Sequence, residues 1–224
     1  MKHDAAQKTH FFFTTTPTPC PYLDGRTERR MVTELMGGDV PDLNDRLSLA
    51  GFRRSHTIAY TPVCDGCAAC VSVRVPVRDF RPSKTQRRIL KRNADLHAEE
   101  CAPEATAEQY ALFKRYIDTR HGEGDMALMG ETDYRALVEE TPVRSSLIEF
   151  RDEHGTLVGG CLTDRLQDGF SAVYSFFDTS QSARSLGTYM VLWLIDRAHL
   201  QGLDYVYLGF WVQGSAKMDY KRNF

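Results

Sequence analysis

Apolar positions along the chain fall into two periods, one of helices and one of strands. Leu43, Leu47 and Ala50 recur at helical spacing over residues 42–51, with Gly51 as a stop. Thr106 can cap a second helix whose Tyr110, Phe113 and Ile117 share a face and which ends near His121-Gly122. Residues 132–140 predict a short helix, and Leu186 to Leu200 a long apolar one. Residues 56–60 and 71–75 alternate as strands do, and Ser146 to Arg151, Leu157 to Thr163, Phe170 to Phe177 and Tyr205 to Leu208 add four more. Asp152-Glu-His-Gly155 and Gln167-Asp-Gly169 supply hairpin turns. The Thr/Pro-rich stretch from Thr14 to Pro21 cannot be regular helix, and residues 123–131 read as a mobile loop. This order predicts an α+β fold with a mainly antiparallel sheet, divided near residue 100. Residues 1–100 form a smaller α+β region and residues 101–224 the larger domain.

Composition narrows the class. The 224 residues are 42% hydrophobic and 26% charged, enough to bury a substantial core. No apolar window reaches the length that spans a bilayer, and Phe11-Phe12-Phe13 is too short for a signal peptide, so a cytoplasmic protein without membrane contact is expected. The six cysteines are then expected to be free thiols unless they bind metal or do redox work. The formal net charge is −2, yet Arg74, Arg78, Arg81, Lys84, Arg87, Arg88, Lys91 and Arg92 face one acid, Asp79, in a single stretch. Arg26, Arg29, Arg30, Arg53 and Arg54 add to that half, which predicts one positively charged face.

Three motifs carry candidate chemistry. Cys64, Cys67 and Cys70 stand at i, i+3 and i+6, a spacing that lets one loop hold an iron–sulfur cluster or zinc, with Cys20 as the fourth ligand. The plainer reading of the three is small buried hydrophobes. Ser83 caps a basic helix running to about Asn93, and its unpaired cations suit a nucleic-acid backbone. Arg184-Ser-Leu-Gly187 could present N–H groups to an anion, though Tyr189 crowds a pyrophosphate; a simple helix cap is the alternative. Asp178 is a carboxylate at a strand end, or else a turn cap. Tyr205, Tyr207, Phe210 and Trp211 could stack a ring or simply pack the core.

Taken together, these residues resemble a known family. Pro19-Cys-Pro-Tyr-Leu-Asp-Gly-Arg26, Leu43-Asn-Asp-Arg-Leu-Ser48, Gly51-Phe-Arg-Arg-Ser-His56, the Tyr60 to Cys70 loop and Arg81-Pro-Ser-x-x-Gln-Arg-Arg88 are similar to the bacterial aspartate/glutamate leucyltransferases, relatives of the arginyl-tRNA–protein transferases. Tyr174-Ser-Phe-Phe-Asp178, Arg184 to Met190, Tyr207-Leu-Gly209 and Met218-Asp-Tyr-Lys221 carry the same resemblance. It implies a GNAT-like acyltransferase fold for residues 101–224, Leu-tRNA as donor, proteins beginning with Asp or Glu as acceptors, and a role in N-degron degradation. In the eukaryotic relatives comparable cysteines have been linked to an iron–sulfur cluster, at a different spacing. Family members commonly have proline where this chain has Thr179, and commonly continue past the position of Phe224.

Because an aminoacyl ester is already activated, the enzyme is expected to work by positioning rather than through a covalent nucleophile. Asp178 is the candidate to orient or deprotonate the acceptor amine, with Tyr207, Tyr220 and Lys221 lining the groove. Arg53 or Arg54 would bind the acceptor's acidic side chain. Arg26, Arg81, Lys84, Arg87, Arg88, Lys91 and Arg92 would contact tRNA. Two rival readings are an acetyl-CoA-dependent N-acetyltransferase and a non-enzymatic iron–sulfur RNA-binding protein.

Overall fold

A computed structural model of the chain describes residues 9–120 and 125–224. The expected helix end at His121-Gly122 and the first residues of the loop from 123 lie outside those residues. In chain order the strands and helices are β1 (Phe13–Thr14), β2 (Thr18–Pro19), β3 (Thr27–Glu28), β4 (Arg30–Glu34), α1 (Val40–Leu49), β5 (Arg53–Ser55), β6 (Ile58–Pro62) and β7 (Cys70–Pro76). They continue as α2 (Lys84–Arg92), β8 (His97–Cys101), α3 (Ala107–Arg120), α4 (Glu131–Glu139), β9 (Ser145–Arg151), β10 (Leu157–Arg165), β11 (Gly169–Phe177), α5 (Leu186–Leu200) and β12 (Tyr205–Val212).

Local chemistry sets several boundaries. Ser83 Oγ accepts from the Gln86 N–H while the Gln86 side chain accepts from the Ser83 N–H, a reciprocal cap that starts α2 where its sequence predicts. Helix α1 begins at Val40, before the expected Asp42, because Pro41 fits a first turn in which its missing N–H has no partner to lose. Strand β12 does not stop at Leu208. Gly209 takes a left-handed φ of +71°, shifting the register against β7, and the strand runs on to Val212.

The large sheet has the order β7-β12-β11-β10-β9-β8. Every pair in it is antiparallel except β11 with β12. The architecture is therefore mixed α+β with a mostly antiparallel sheet. One face of the sheet packs Leu186, Met190 and Leu194 of α5 and Ile89 of α2 onto Ile148, Phe150 and Val206. The other face packs Leu112, Phe113 and Ile117 of α3 and Tyr134 of α4 onto Leu147, Leu162 and Phe176. Each such fully buried side chain contributes roughly 1.5–3 kcal/mol. A second sheet, β1-β4-β6-β5, packs with α1 around Leu35, Leu43 and Ala59. The division expected near residue 100 does not coincide with a break in the large sheet. Strand β7 pairs with β12, and β8 spans residues 97–101 beside β9. Among the described residues no helix is long and apolar enough to cross a membrane.

Gly169 sets the joint between β11 and β12. A Cβ built there would stand 2.2 Å from the Tyr205 carbonyl oxygen, a backbone atom that cannot turn aside. Gly169→Ala is expected to destabilise the protein by about 1–3 kcal/mol, read as a lowered urea midpoint. An unchanged midpoint would show that the two strands can shift apart without cost.

Candidate active site

Strands β11 and β12 pair only over Gly169–Ser171 and Tyr205–Tyr207, and beyond that point they part. Arg53, from β5 of the smaller sheet, reaches into the opening and donates to the Val173 carbonyl on β11. Gly209 on β12 makes room for it, since a Cβ there would lie 3.2 Å from the Arg53 side chain. That glycine serves both the positive φ and the close approach. Among the described residues no carboxylate lies within ion-pair distance of Arg53, so none of its five N–H donors has an anionic partner there.

Lys221 enters the same opening from the turn Asp219–Asn223. That turn is held by Gln86 of α2, whose side chain donates to the Asn223 carbonyl, and by Phe224 stacked on Phe80. Lys221 is only 6% exposed and donates to the Phe210 carbonyl at 2.7 Å. Burial, reinforced by the nearby Arg53 cation, pulls its pKa from 10.5 down to about 7. Tyr220, Tyr116, Tyr174 and Tyr22 complete the surroundings. Burial raises the phenol pKa of Tyr116, Tyr174 and Tyr22 above its ordinary value, most of all for Tyr174. Tyr220 leaves 42% of its surface open to solvent at the rim.

The structure separates the two neighbouring arginines. On β5 successive side chains point to opposite faces. Arg54 turns inward and is fully buried against Asp164 of β10, with Nε–Oδ2 2.5 Å and Nη2–Oδ1 2.7 Å. Ser145 donates to the same carboxylate at 2.6 Å. Arg54 is thus neutralised and inaccessible, and of the pair expected to bind the acceptor only Arg53 faces the opening.

Two further candidates are occupied elsewhere. Asp178 caps the turn after β11, accepting from the Ser180 N–H and hydroxyl and from the Gln181 amide. Burial would raise its pKa, but those hydrogen bonds outweigh it and hold the carboxyl below its ordinary value, which makes it a weak base. Its carboxylate therefore behaves as the turn cap that its position also allowed. Tyr207 lies at the closed end of the β11–β12 pair. Its hydroxyl donates to Asp168 at 2.9 Å and accepts from Arg74 at 2.8 Å. Burial, then Asp168, pushes its pKa up to about 12. Tyr174, Tyr116 and Tyr22 are the site residues that sequence reasoning did not select. Tyr174 and Tyr22 lie inside segments that carry the family resemblance; Tyr116 has no such signal.

On α2, Lys84, Arg87, Arg88, Lys91 and Arg92 are all exposed, as are Arg81 just before it and Arg26. Among the described residues none of them forms an ion pair; Arg81, Arg87 and Arg92 donate to backbone carbonyls instead. The result is an open cationic strip.

The four candidate cysteines come together. Cys20, Cys64, Cys67 and Cys70 line one pocket, along with Tyr22 and Phe210. The Cys67 N–H donates to the Cys64 carbonyl, and Gly66 takes φ +65° to close that turn. Burial, and then the proximity of Cys64, Cys20 and Cys67, pushes the Cys70 thiol up to about 11. Four sulfurs from two loops match the donor preference of zinc or an iron–sulfur cluster. In the conformation described, no three His, Cys, Asp or Glu side chains converge on one ion position among the described residues. The donor set fits such a group in kind, and the thiols would have to draw inward to ligate it. Cys161 and Cys101 lie apart, the first fully buried beside the Ser175 hydroxyl.

Comparison with known proteins gives the family. Residues 18–88 match the family Arginine-tRNA-protein transferase, N terminus, and residues 108–224 match Arginine-tRNA-protein transferase, C terminus. Proteins named aspartate/glutamate leucyltransferase are similar over most of their length. The one from Paramagnetospirillum magneticum is 53% identical over 100% of this chain and 92% of its own. That from Granulibacter bethesdensis is 55% identical over 96% of this chain and 80% of its own. That from Rhodospirillum rubrum is 53% identical over 100% and 92%. A solved structure described as L-PGS from Bacillus licheniformis aligns with 90% of this chain and 68% of its own at a TM-score of 0.48 and 12% identity, too faint a likeness to argue from. With the two family matches covering both the cysteine loop and the Arg53–Lys221 opening's C-terminal walls, the chain belongs to the arginine-tRNA-protein transferase family.

Proposed function

We propose that the chain moves leucine from Leu-tRNA onto the α-amine of proteins beginning with Asp or Glu, marking them for N-degron degradation. The observation that carries this reading is Arg53, a guanidinium set in the opening between β11 and β12 with no carboxylate partner among the described residues. Its planar fork suits a carboxylate bound through two parallel N–H donors, which is what an N-terminal Asp or Glu would offer. The parting of two parallel strands beside a long helix is also the feature that supports a GNAT-like sheet for this half.

The chemistry asked of the protein is modest. The donor ester is activated, and the acceptor α-amine has a pKa of about 7.7–8.0, so much of it is neutral at pH 7–8. Holding amine and ester in line can supply up to about 7–11 kcal/mol. Backbone N–H groups freed where β11 and β12 part are suited to the oxyanion of the tetrahedral intermediate. The α2 strip, with Arg81 and Arg26, would track the tRNA backbone through phosphate contacts. Cys20, Cys64, Cys67 and Cys70 would hold zinc or an iron–sulfur cluster, which when bound would cross-link the two loops beside the groove. No step of the transfer runs through it.

A transfer assay offering Leu-tRNA, Arg-tRNA and acetyl-CoA in parallel to peptides beginning Asp, Glu, Arg or Ala tests the reading. Leucine is expected only on the Asp and Glu peptides. Transfer of acetyl groups in its place, or no transfer from either charged tRNA, would overturn it.

A further inference from the structure

Lys221 is a buried amine that positioning alone does not explain. It lies in the opening, 6% exposed, and its Nζ donates to the Phe210 carbonyl at 2.7 Å. Among the described residues it has no ion-pair partner. The charged group that acts on it is Arg53 of β5, and the ring centre of Tyr220, next to it in the chain, lies 6.0 Å from Nζ. Tyr116 on α3, Cys161 on β10 and Tyr22 in the loop after β2 surround Tyr220, and Tyr174 on β11 lies by Arg53. None of these is a carboxyl group. The phenols of Tyr22, Tyr116 and Tyr174 are held protonated by burial, and burial pushes the Cys161 thiol up to about 11, so no anion forms there at neutral pH. A low-dielectric site with a second cation and no counter-charge favours the neutral amine.

We propose that Lys221 is the general base of the aminoacyl transfer. This rests on the transferase reading above and assigns the proton within it. A neutral amine has two N–H donors and one lone pair, and the Phe210 carbonyl occupies only a donor. The lone pair remains for the acceptor. As the acceptor nitrogen bonds to the aminoacyl carbonyl carbon, Nζ removes one proton from the resulting ammonium. As the ester C–O bond breaks, Nζ returns that proton to the departing ribose oxygen, and Lys221 ends neutral as it began. Asp178, the other candidate for this proton, already accepts three hydrogen bonds from Ser180 and Gln181.

The sign of the pH dependence follows. The competent form of Lys221 is the unprotonated one, populated above about pH 7, so activity should fall as pH drops through that value. An ordinary acceptor α-amine titrates nearby and would blur the limb. The test therefore uses a peptide whose N-terminal aspartyl amine is replaced by an aminooxy group, which stays neutral across the range. With Leu-tRNA as donor, kcat/KM for this peptide is expected to keep an acid limb near pH 7. Lys221→Met should lose the limb and about 10²–10⁴-fold in kcat at the plateau, while its thermal melt shows a folded protein. Lys221→Arg, always charged, should be equally slow. Loss of the acid limb in the wild type with the aminooxy peptide, or a Lys221→Met enzyme within threefold of wild type, would overturn the proposal.

A second measurement separates this proposal from the transferase reading. NMR titration of protein carrying ¹³C-labelled lysine, with the Lys221 signal assigned by its absence in Lys221→Met, should show one lysine titrating near pH 7 whatever the activity. A Lys221 titrating with the other lysines would overturn the base role alone. Failure of the wild type to transfer any amino acid would overturn the transferase reading and the base role together.

Discussion

Asp164→Ala is expected to lower stability by about 3–5 kcal/mol. The carboxylate is fully buried and receives two N–H donors from Arg54 and a hydroxyl from Ser145, which is itself 2.5 Å from the Thr141 hydroxyl. Removing it strands a guanidinium that cannot shed its proton in a site shielded from solvent. The loss would be a large share of the roughly 5–15 kcal/mol that holds a domain folded. Arg54→Met with Asp164→Leu removes both charges and is expected to lie much closer to wild type. Urea unfolding of the three proteins, compared at unchanged slope, reads the difference. A pair variant as unstable as Asp164→Ala would show that shape, not charge, is what the site requires. Because Arg54 ties β5 to β10, the same bond fixes the strand from which Arg53 projects.

The second large effect concerns Arg53 itself. Arg53→Ala is expected to reduce kcat/KM on peptides beginning Asp or Glu by about 10²–10⁴-fold, since each charge-assisted hydrogen bond to the acceptor carboxylate contributes roughly 1.5–3 kcal/mol. The fold should survive, because the side chain is only partly buried and its one side-chain hydrogen bond among the described residues goes to the Val173 carbonyl. The sharper readout is selectivity. Wild type should prefer an Asp peptide strongly over its Asn analogue, and that ratio should collapse in Arg53→Ala and recover in part in Arg53→Lys. Removing the cation also lets the Lys221 pKa rise, so the acid limb should move to higher pH. An Arg53→Ala enzyme that keeps its preference for Asp over Asn would place the acceptor's carboxylate elsewhere.

Elements with strong periodicity are legible in the sequence alone. Helix α5 spans Leu186–Leu200 as its apolar run predicts, and β9, β10 and β11 fall within two residues of expectation. Strand β8 was not, because His97-Ala-Glu-Glu-Cys101 is mostly polar and exposed and has no hydrophobic alternation to announce it. The site was legible in part for similar reasons. The thiol loop and the cationic helix are local patterns: the four cysteines line one pocket, though no three converge on an ion position among the described residues, and the helix starts at its cap. Which of Arg53 and Arg54 faces the groove depends on Asp164, 110 residues away, and no local pattern reports it. Likewise nothing near Lys221 in sequence says it is buried. That follows from Phe210, Arg53 and the turn's attachment to α2.

Strand β7 carries a consequence of its own. Its register places Cys70 opposite Val212 and Pro76 opposite Tyr205, so it covers the whole free side of β12. Tyr205-Val-Tyr-Leu-Gly-Phe-Trp-Val212 is almost entirely apolar and aromatic, without a charge. Left bare, such a segment is a template on which other chains add strands and aggregate. The strand that begins at the last thiol of the loop is therefore also a guard rail, and a polypeptide trimmed to residues 108–224 would expose the stretch that the N-terminal half keeps from self-association.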